Sequence, residues 1–344
     1  MKNVRKSSSG KNIGQNIKKI RASKKMTLKA LAEETGLSIG YLSQLERGLT
    51  TVSKGTCAKL AAALGVSTDE LSYNERLSGK KDICIIGGGN MGSAIATGIV
   101  TNGIAEAANV TVSDVSEAVL RPLKSKLKIN TVTDNKEAAT KANVLILAVK
   151  PAYLDGVLEE ISGLVADDTL VVSIVAGRKI SYLAEKLGEK QKIVRVMPNT
   201  PALVNAGMSA LCPSKNVTAR ELKSITEIFS GLGKAVVLEE RMFDAVTAVS
   251  GSGPAYVYMF IQSLADAGVR EGLPRDVALE LAAQTVLGSA KMVIETAKHP
   301  EQLKDEVCSP GGTTIEAVAT LEEAGFRNAI MQAVKACADK SRNM

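Results

Sequence analysis

A short apolar run, Lys81-Asp82-Ile83-Cys84-Ile85-Ile86, passes directly into Gly87-Gly88-Gly89-Asn90-Met91-Gly92 and then into a segment with Ala94, Ile95 and Ile99 at helical spacing. Strand, Gly-x-Gly-x-x-Gly turn and helix in that order commit this part of the chain to a parallel α/β sheet that grips a dinucleotide. Gly87 permits the tight turn, Gly89 lets backbone approach a pyrophosphate, and Gly92 lets the helix pack close to the strand. The helix start, with Asn90 and Met91, presents unpaired amides to the anion.

The sheet continues in apolar runs. Val110-Thr111-Val112 ends at Ser113-Asp114, where a ribose is expected; Asp114 accepts from a free 2′-hydroxyl and repels a 2′-phosphate, whereas Ser113 tolerates either. Val144-Leu145-Ile146-Leu147 runs into Ala148-Val149-Lys150-Pro151, and Leu170-Val171-Val172-Ser173 into Ile174-Val175-Ala176-Gly177. With Ile193–Pro201, these read as buried parallel strands whose polar ends meet in one crevice and line a nicotinamide site. A further strand is expected near Ala235-Val236-Val237.

Charge divides the chain. Residues 1–80 hold 15 Lys/Arg against 6 Asp/Glu, while the whole sequence has 43 against 36 and a net charge of +7, so the N-terminal part carries about +9 and the remainder about −2. A surface seeking an acidic partner therefore belongs to the N-terminal part. There, residues 1–11 read as a disordered tail, and a helix is expected from Asn12 with Ile13, Ile17 and Ile20 on one face. Thr27 and Ser38 cap two short helices that stop at Gly36 and Gly48, the spacing of a helix-turn-helix; Ser53 starts another with Leu60 and Leu64 inward, and Val66, Ser67 and Leu71 suggest a last short one. A helical docking module with solvated lysines has the same pattern. No apolar run reaches the ~18 residues of a membrane span and the N-terminus is polar, so a cytoplasmic protein is expected. Five scattered cysteines without a Cys-x-x-Cys pair point to reduced thiols, with neither a disulfide framework nor a metal site.

Near the C-terminus, Cys308-Ser309-Pro310-Gly311-Gly312-Thr313-Thr314 joins a turn, a hydroxyl cluster and a helix start. Such a loop can hold a small carboxylate, and it reads equally as a Pro-Gly turn with a Thr cap. The segment resembles the C-terminal signature of pyrroline-5-carboxylate reductases, and the resemblance runs from about Lys81 to Arg342. It implies hydride transfer from NADPH or NADH to 1-pyrroline-5-carboxylate, giving proline. It implies that backbone amides around Gly311, Gly312 and Thr313 hold the carboxylate, that Thr314 binds the ring nitrogen, and that Ser250 and Ser309 support the pocket. Asn135 and Ala148-Val149-Lys150-Pro151 are then coenzyme contacts, and the Ala-rich helices after about Arg241 form an interlocked homodimer or higher homo-oligomer. Reductases of this family often prefer NADPH and carry Ser, Thr or a basic residue at the phosphate position; Asp114 departs from that pattern, Arg121 is the nearest rescue, and the preference stays open. His299, the single histidine, precedes Pro300 in a loop and reads as a surface residue. An imine needs no side-chain acid at a carbinol oxygen, so the chemistry agrees with that reading.

Residues 12–72 resemble the lambda-repressor-like DNA-binding family, carried by Met26–Ala32, Gly36-Leu37-Ser38 and Tyr41–Gly48. The resemblance places the helix after Ser38 in the major groove, with Ile39, Gly40, Tyr41, Ser43 and Gln44 toward bases or phosphates and Arg47 at its end. The expected architecture is α/β: a small all-α helix-turn-helix domain (12–73), a linker (74–81), a Rossmann-type dinucleotide-binding domain (82–239), and an all-α dimerisation and substrate domain (240–344). Other readings are a different imine or β-hydroxyacid reductase, a transcription regulator whose reductase-like part senses nucleotide or proline, and an enzyme that also binds DNA.

Overall fold

The computed structural model describes residues 9–47, 50, 52–66 and 82–343. The N-terminal module comprises α1 (Ser9–Ser23), α2 (Leu28–Thr35), α3 (Ile39–Glu46) and α4 (Lys54–Ala63). Its caps are those the sequence expects: the Thr27, Ser38 and Ser53 hydroxyls accept from the amides of Ala30, Tyr41 and Thr56, and Gly36 ends α2 at φ +69°. Helix α1 begins at Ser9, inside the stretch read as a tail. The expected last short helix and the linker lie outside the described residues.

Ile17, Leu31, Leu42, Leu45, Leu60 and Leu64 fill the core of this module. Helix α1 crosses α3 so closely that a Cβ on Gly14 would sit 1.8 Å from the Leu45 carbonyl oxygen. Arg21 then fastens the pair, its Nε and Nη2 donating to the two Glu46 carboxylate oxygens at 2.7 and 3.0 Å. Removing either partner would leave a nearly buried charge alone, so both residues belong to the fold.

The next unit is an eight-stranded sheet in the order β3-β2-β1-β4-β5-β6-β7-β8. Its strands are β1 (Ile83–Ile86), β2 (Val110–Ser113), β3 (Asn130–Val132), β4 (Val144–Leu147), β5 (Leu170–Ser173), β6 (Lys192–Met197), β7 (Gly207–Pro213) and β8 (Gly233–Val237). The first six are parallel, β7 runs antiparallel to β6, and β8 pairs parallel with β7. Two strands escaped the sequence reading for a physical reason. β3 is three residues with no buried side chain, and β7 is built largely of small residues, so neither shows an apolar run.

Helices cover both faces. On one side α5 (Asn90–Thr101), α6 (Glu117–Leu127) and α10 (Ala219–Ser230), which contributes Phe229, pack over Ile83, Ile85, Val112 and Ile146. On the other, α7 (Asn135–Lys141), α8 (Pro151–Ile161) and α9 (Ile180–Leu187) cover Ile86, Leu145, Val171 and Ile193. Because β1 lies between β2 and β4, the crossovers leave it in opposite directions, and a crevice opens at the carboxyl ends of these strands.

After β8 the chain is helical: α11 (Phe243–Val246), a π-helical turn at Thr247–Gly251, α12 (Gly253–Arg270), α13 (Arg275–Thr296), α14 (Pro300–Val307), α15 (Thr313–Glu323) and α16 (Phe326–Arg342). Helices α12 and α13 meet through Ala265, Ala278 and Ala282. α16 returns to the π turn, where Cys337 Sγ donates to Ser252 Oγ at 3.2 Å and Ser341 to Asp244 at 2.7 Å. Much of the remaining apolar surface is open, with Met259 71%, Leu287 61% and Met331 63% exposed. Apolar area on this scale marks an interface. By length and composition α13 is also apolar enough to cross a membrane, although Glu280 and Lys291 interrupt it, so no unbroken apolar run reaches that length. Its Asp276, Glu280, Lys291 and Glu295, and its alanine contact with α12, fit a helix of an assembly interface instead.

Candidate functional sites

The glycine turn is held by three different constraints. Gly87 has φ +104°, and a Cβ there would lie 2.6 Å from the Ala148 carbonyl oxygen of the neighbouring strand end. A Cβ on Gly92 would lie 1.9 Å from the Gly87 oxygen, so helix α5 approaches its own strand too closely for any side chain. At Gly89 a Cβ meets nothing within 4 Å. The protein's own packing does not require that glycine, whereas backbone approach by a pyrophosphate does. The turn thus fits a dinucleotide. Gly92→Ala is expected to cost about 1–3 kcal/mol through overpacking, whereas Gly89→Ala should leave the thermal midpoint in place and weaken coenzyme binding. Thermal unfolding beside calorimetric titration with coenzyme separates the two effects.

At the end of β2 the Asp114 carboxylate accepts from two backbone amides, Gly88 N at 2.8 Å and Ser116 N at 2.9 Å. Ser113 is placed differently from the sequence expectation. It is fully buried, and its hydroxyl donates to Asn135 Oδ1 at 2.8 Å, while Asn135 Nδ2 donates to Glu160 at 2.7 Å. Ser113 and Asn135 therefore hold each other behind the crevice. Arg121 pairs with Glu117 at 2.9 Å on the exposed face of α6.

Further along the carboxyl edge, Ala148 and Val149 are half-buried, and Lys150 and Pro151 cap and open α8. Met91 packs partly against the core on the α5 face. Ile174 N bonds Leu147 O at 3.1 Å, keeping the β5 end beside β4. Val175 is buried among the residues under α8 and α9, so only its backbone can reach a ligand; Ile174 and Ala176 are half-buried. Asn199, just past β6, joins this edge to the helical part: Nδ2 donates to Ser250 O at 3.0 Å, and Oδ1 accepts from Met208 N at 2.8 Å. The Ser250 hydroxyl donates to Val246 O at 3.1 Å within the π turn. Asn199 is a positioning residue the sequence reading passed over, though its place in Met197-Pro198-Asn199-Thr200-Pro201 at a strand end was the available signal.

The Ser309–Thr314 loop is closed by its own backbone. Gly311 has φ +64°, Gly312 N donates to Ser309 O at 3.0 Å, and a Cβ on Gly312 would lie 2.3 Å from Ser309 Oγ. One expectation is corrected here, because the Gly312 amide is spent on the turn. As Gly312 is the N-cap of α15, the open helix-start amides are those of Thr313, Thr314 and Ile315. Thr314 is half-buried in this single chain, and Ser309, Gly311 and Thr313 are exposed. His299 caps α14 at an exposed position, its Nδ1 accepting from Glu301 N at 3.2 Å.

On the N-terminal module, α3 shows solvent Ile39, which is 49% exposed, together with Gly40, Gln44 and Arg47. Ser43 is half-buried, and Arg47 Nε donates to its carbonyl oxygen at 3.2 Å. Tyr41 differs from the expectation, since its ring packs against the module core.

Three family models match the chain: helix-turn-helix at residues 17–71, NADP oxidoreductase, coenzyme F420-dependent, at 82–177, and pyrroline-5-carboxylate reductase dimerisation at 240–344. The last accounts for the open apolar faces, and the chain is a homo-oligomer. Among solved structures, a pyrroline-5-carboxylate reductase from Coxiella burnetii superposes with a TM-score of 0.73 at 34% identity, covering 77% of this chain and 98% of that one. The Plasmodium falciparum pyrroline carboxylate reductase, solved with NADP bound, gives 0.70 at 38% identity, covering 76% and 97%. The pyrroline-5-carboxylate reductase of Escherichia coli is 47% identical over 265 residues, which is 77% of this chain and 98% of that protein, so the N-terminal module is an addition to what the two share. That of Methanosarcina acetivorans is 46% identical over 76% of this chain and 97% of that protein. With identity at this level along nearly the full length of such relatives, the chain belongs to the pyrroline-5-carboxylate reductase family.

Proposed function

We propose that this chain reduces 1-pyrroline-5-carboxylate to L-proline, the last step of proline biosynthesis, and that its N-terminal module binds DNA. The single observation that carries the first part is the identity to the Escherichia coli enzyme along 98% of that protein. When bound, the dihydronicotinamide supplies a hydride to C5 of the substrate ring. The residues to hold the coenzyme are Gly87, Gly89 and the amides of Asn90 and Met91 at the phosphates, Asp114 at the ribose, and the Ala148–Pro151 and Ile174–Ala176 edges at the nicotinamide.

The protein's own part is binding and orientation. Amides of Thr313, Thr314 and Ile315 at the start of α15 hold the substrate carboxylate, with Gly311 and Ser309 shaping the turn. The Thr314 hydroxyl accepts from the N–H of the protonated imine. Hydride addition leaves an amine that keeps this proton, so no side-chain acid is required, in keeping with His299 being committed to a helix cap at the surface. Rate then comes from holding C5 in reach and from preorganised dipoles. An account in which the reductase part only senses nucleotide or proline finds no support, because the relatives matched along their length are named as reductases.

The DNA reading rests on the exposed α3 face and on the basic balance of the first 80 residues, 15 Lys/Arg against 6 Asp/Glu. Both readings assume a cytoplasmic setting. The reductase reading is tested by following reduced-nicotinamide absorbance when purified full-length protein meets 1-pyrroline-5-carboxylate with NADH or NADPH. Substrate-dependent oxidation is expected; none with either coenzyme would sink it.

A further inference from the structure

We infer that this chain selects NADH over NADPH and that Asp114 sets the preference, an inference that rests on the dinucleotide reading of Gly87–Gly92. The carboxylate follows β2, where the ribose of a bound dinucleotide lies. Its two oxygens are fixed by Gly88 N and Ser116 N at 2.8 and 2.9 Å, one amide from each loop that borders the site. A carboxylate offers about four acceptor positions. Two remain for the two ribose hydroxyls, so a 2′-hydroxyl finds a fixed acceptor.

A 2′-phosphate finds the reverse. It brings about two negative charges against a carboxylate that cannot swing aside without stranding two loop amides. Of the donors beside the carboxylate, only the Ser116 hydroxyl makes no cap bond, and it carries no charge to neutralise the phosphate; the others are engaged. Gly88 N and Ser116 N donate to Asp114 itself, and the Ser113 hydroxyl is fully buried and donates to Asn135. Arg121 is bound to Glu117 at 2.9 Å, so drawing it in also frees a second carboxylate beside the phosphate. Close like charges in this setting are worth at least about tenfold in affinity.

An Asp at this position has a structural job as well, since its bonds to Gly88 N and Ser116 N knit the two loops. The test must therefore separate loop support from charge. Calorimetric titration of the full-length protein with NADH and with NADPH gives the ratio of dissociation constants without any turnover. For the unaltered protein NADH is expected to bind at least ~10-fold more tightly. Asp114→Asn keeps an amide-accepting oxygen and removes the charge; Asp114→Ser removes charge and reach together. In both, the ratio is expected to move toward NADPH by ~10-fold or more, with thermal midpoints of the coenzyme-free proteins reported alongside. Equal or tighter binding of NADPH by the unaltered protein overturns the inference, as does an unchanged ratio in both folded variants. Reduction of 1-pyrroline-5-carboxylate with an NADPH preference would defeat this inference and leave the reductase standing, whereas failure to bind either coenzyme would defeat both.

Discussion

Thr314→Ala is expected to lower kcat/KM for 1-pyrroline-5-carboxylate by ~10- to 100-fold, the scale of one lost hydrogen bond to a charged group. Thr314 is the second residue of α15, and its hydroxyl makes no hydrogen bond within the described residues, so Ala removes no internal hydrogen bond. Ala is the better helix former, and the backbone amide of residue 314 stays in place for the carboxylate. The loss should therefore fall on the ring nitrogen alone. Thr314→Ser, which keeps the hydroxyl, should retain most of the activity, and coenzyme affinity by titration should not change, because the glycine turn lies on a different element. Steady-state kinetics of both variants decide it; a Thr314→Ala enzyme with unaltered kcat/KM removes Thr314 from the mechanism.

The sequence speaks clearly where a residue answers a local demand. Gly87 and Gly92 are legible because each answers a demand that glycine alone meets: a positive φ and a tight helix crossing. Thr27, Ser38 and Ser53 are legible because a hydroxyl before an apolar helical pattern has one strong local use. Contacts that cross the chain are not legible in this way. Nothing near Ser113 announces that its hydroxyl meets Asn135, 22 positions on, or that Asn199 holds Ser250 across 51. Tyr41 looks like a reader of DNA alone, while the fold sets its half-buried ring against the module core. Gly312 looks like an amide donor to substrate until the turn uses that amide internally. Helix starts and glycine turns are local, while what a side chain is spent on depends on residues the fold brings from elsewhere.

Removing residues 1–76 is expected to abolish binding to genomic DNA fragments while leaving reduction of 1-pyrroline-5-carboxylate intact. The reductase half should survive because its sheet, both covering layers and its helical part all lie from Asp82 onward, and its relatives are matched along 98% of their length without the N-terminal module. DNA binding should vanish because the remainder carries 29 basic against 30 acidic residues, with no charge excess left to displace counterions from phosphates. In the full-length protein, affinity should fall steeply as salt rises, the signature of Lys and Arg contacts to the backbone. A homo-oligomer carries at least two modules, and a pair on one face would engage half-sites about one helical turn, ~34 Å, apart. On α3 and at its C-cap, the exposed Gln44 and Arg47 side chains should separate by role. Arg47→Ala should weaken binding to all sequences alike and flatten the salt slope, whereas Gln44→Ala should cost roughly 1–3 kcal/mol at adenine-containing sites and relax discrimination there. Ile39 and Gly40 offer only shape, so the sequence preference should be narrow and centred on Gln44. If the full-length protein holds DNA no better than the truncated one at low salt, the module is a docking domain and the DNA reading fails.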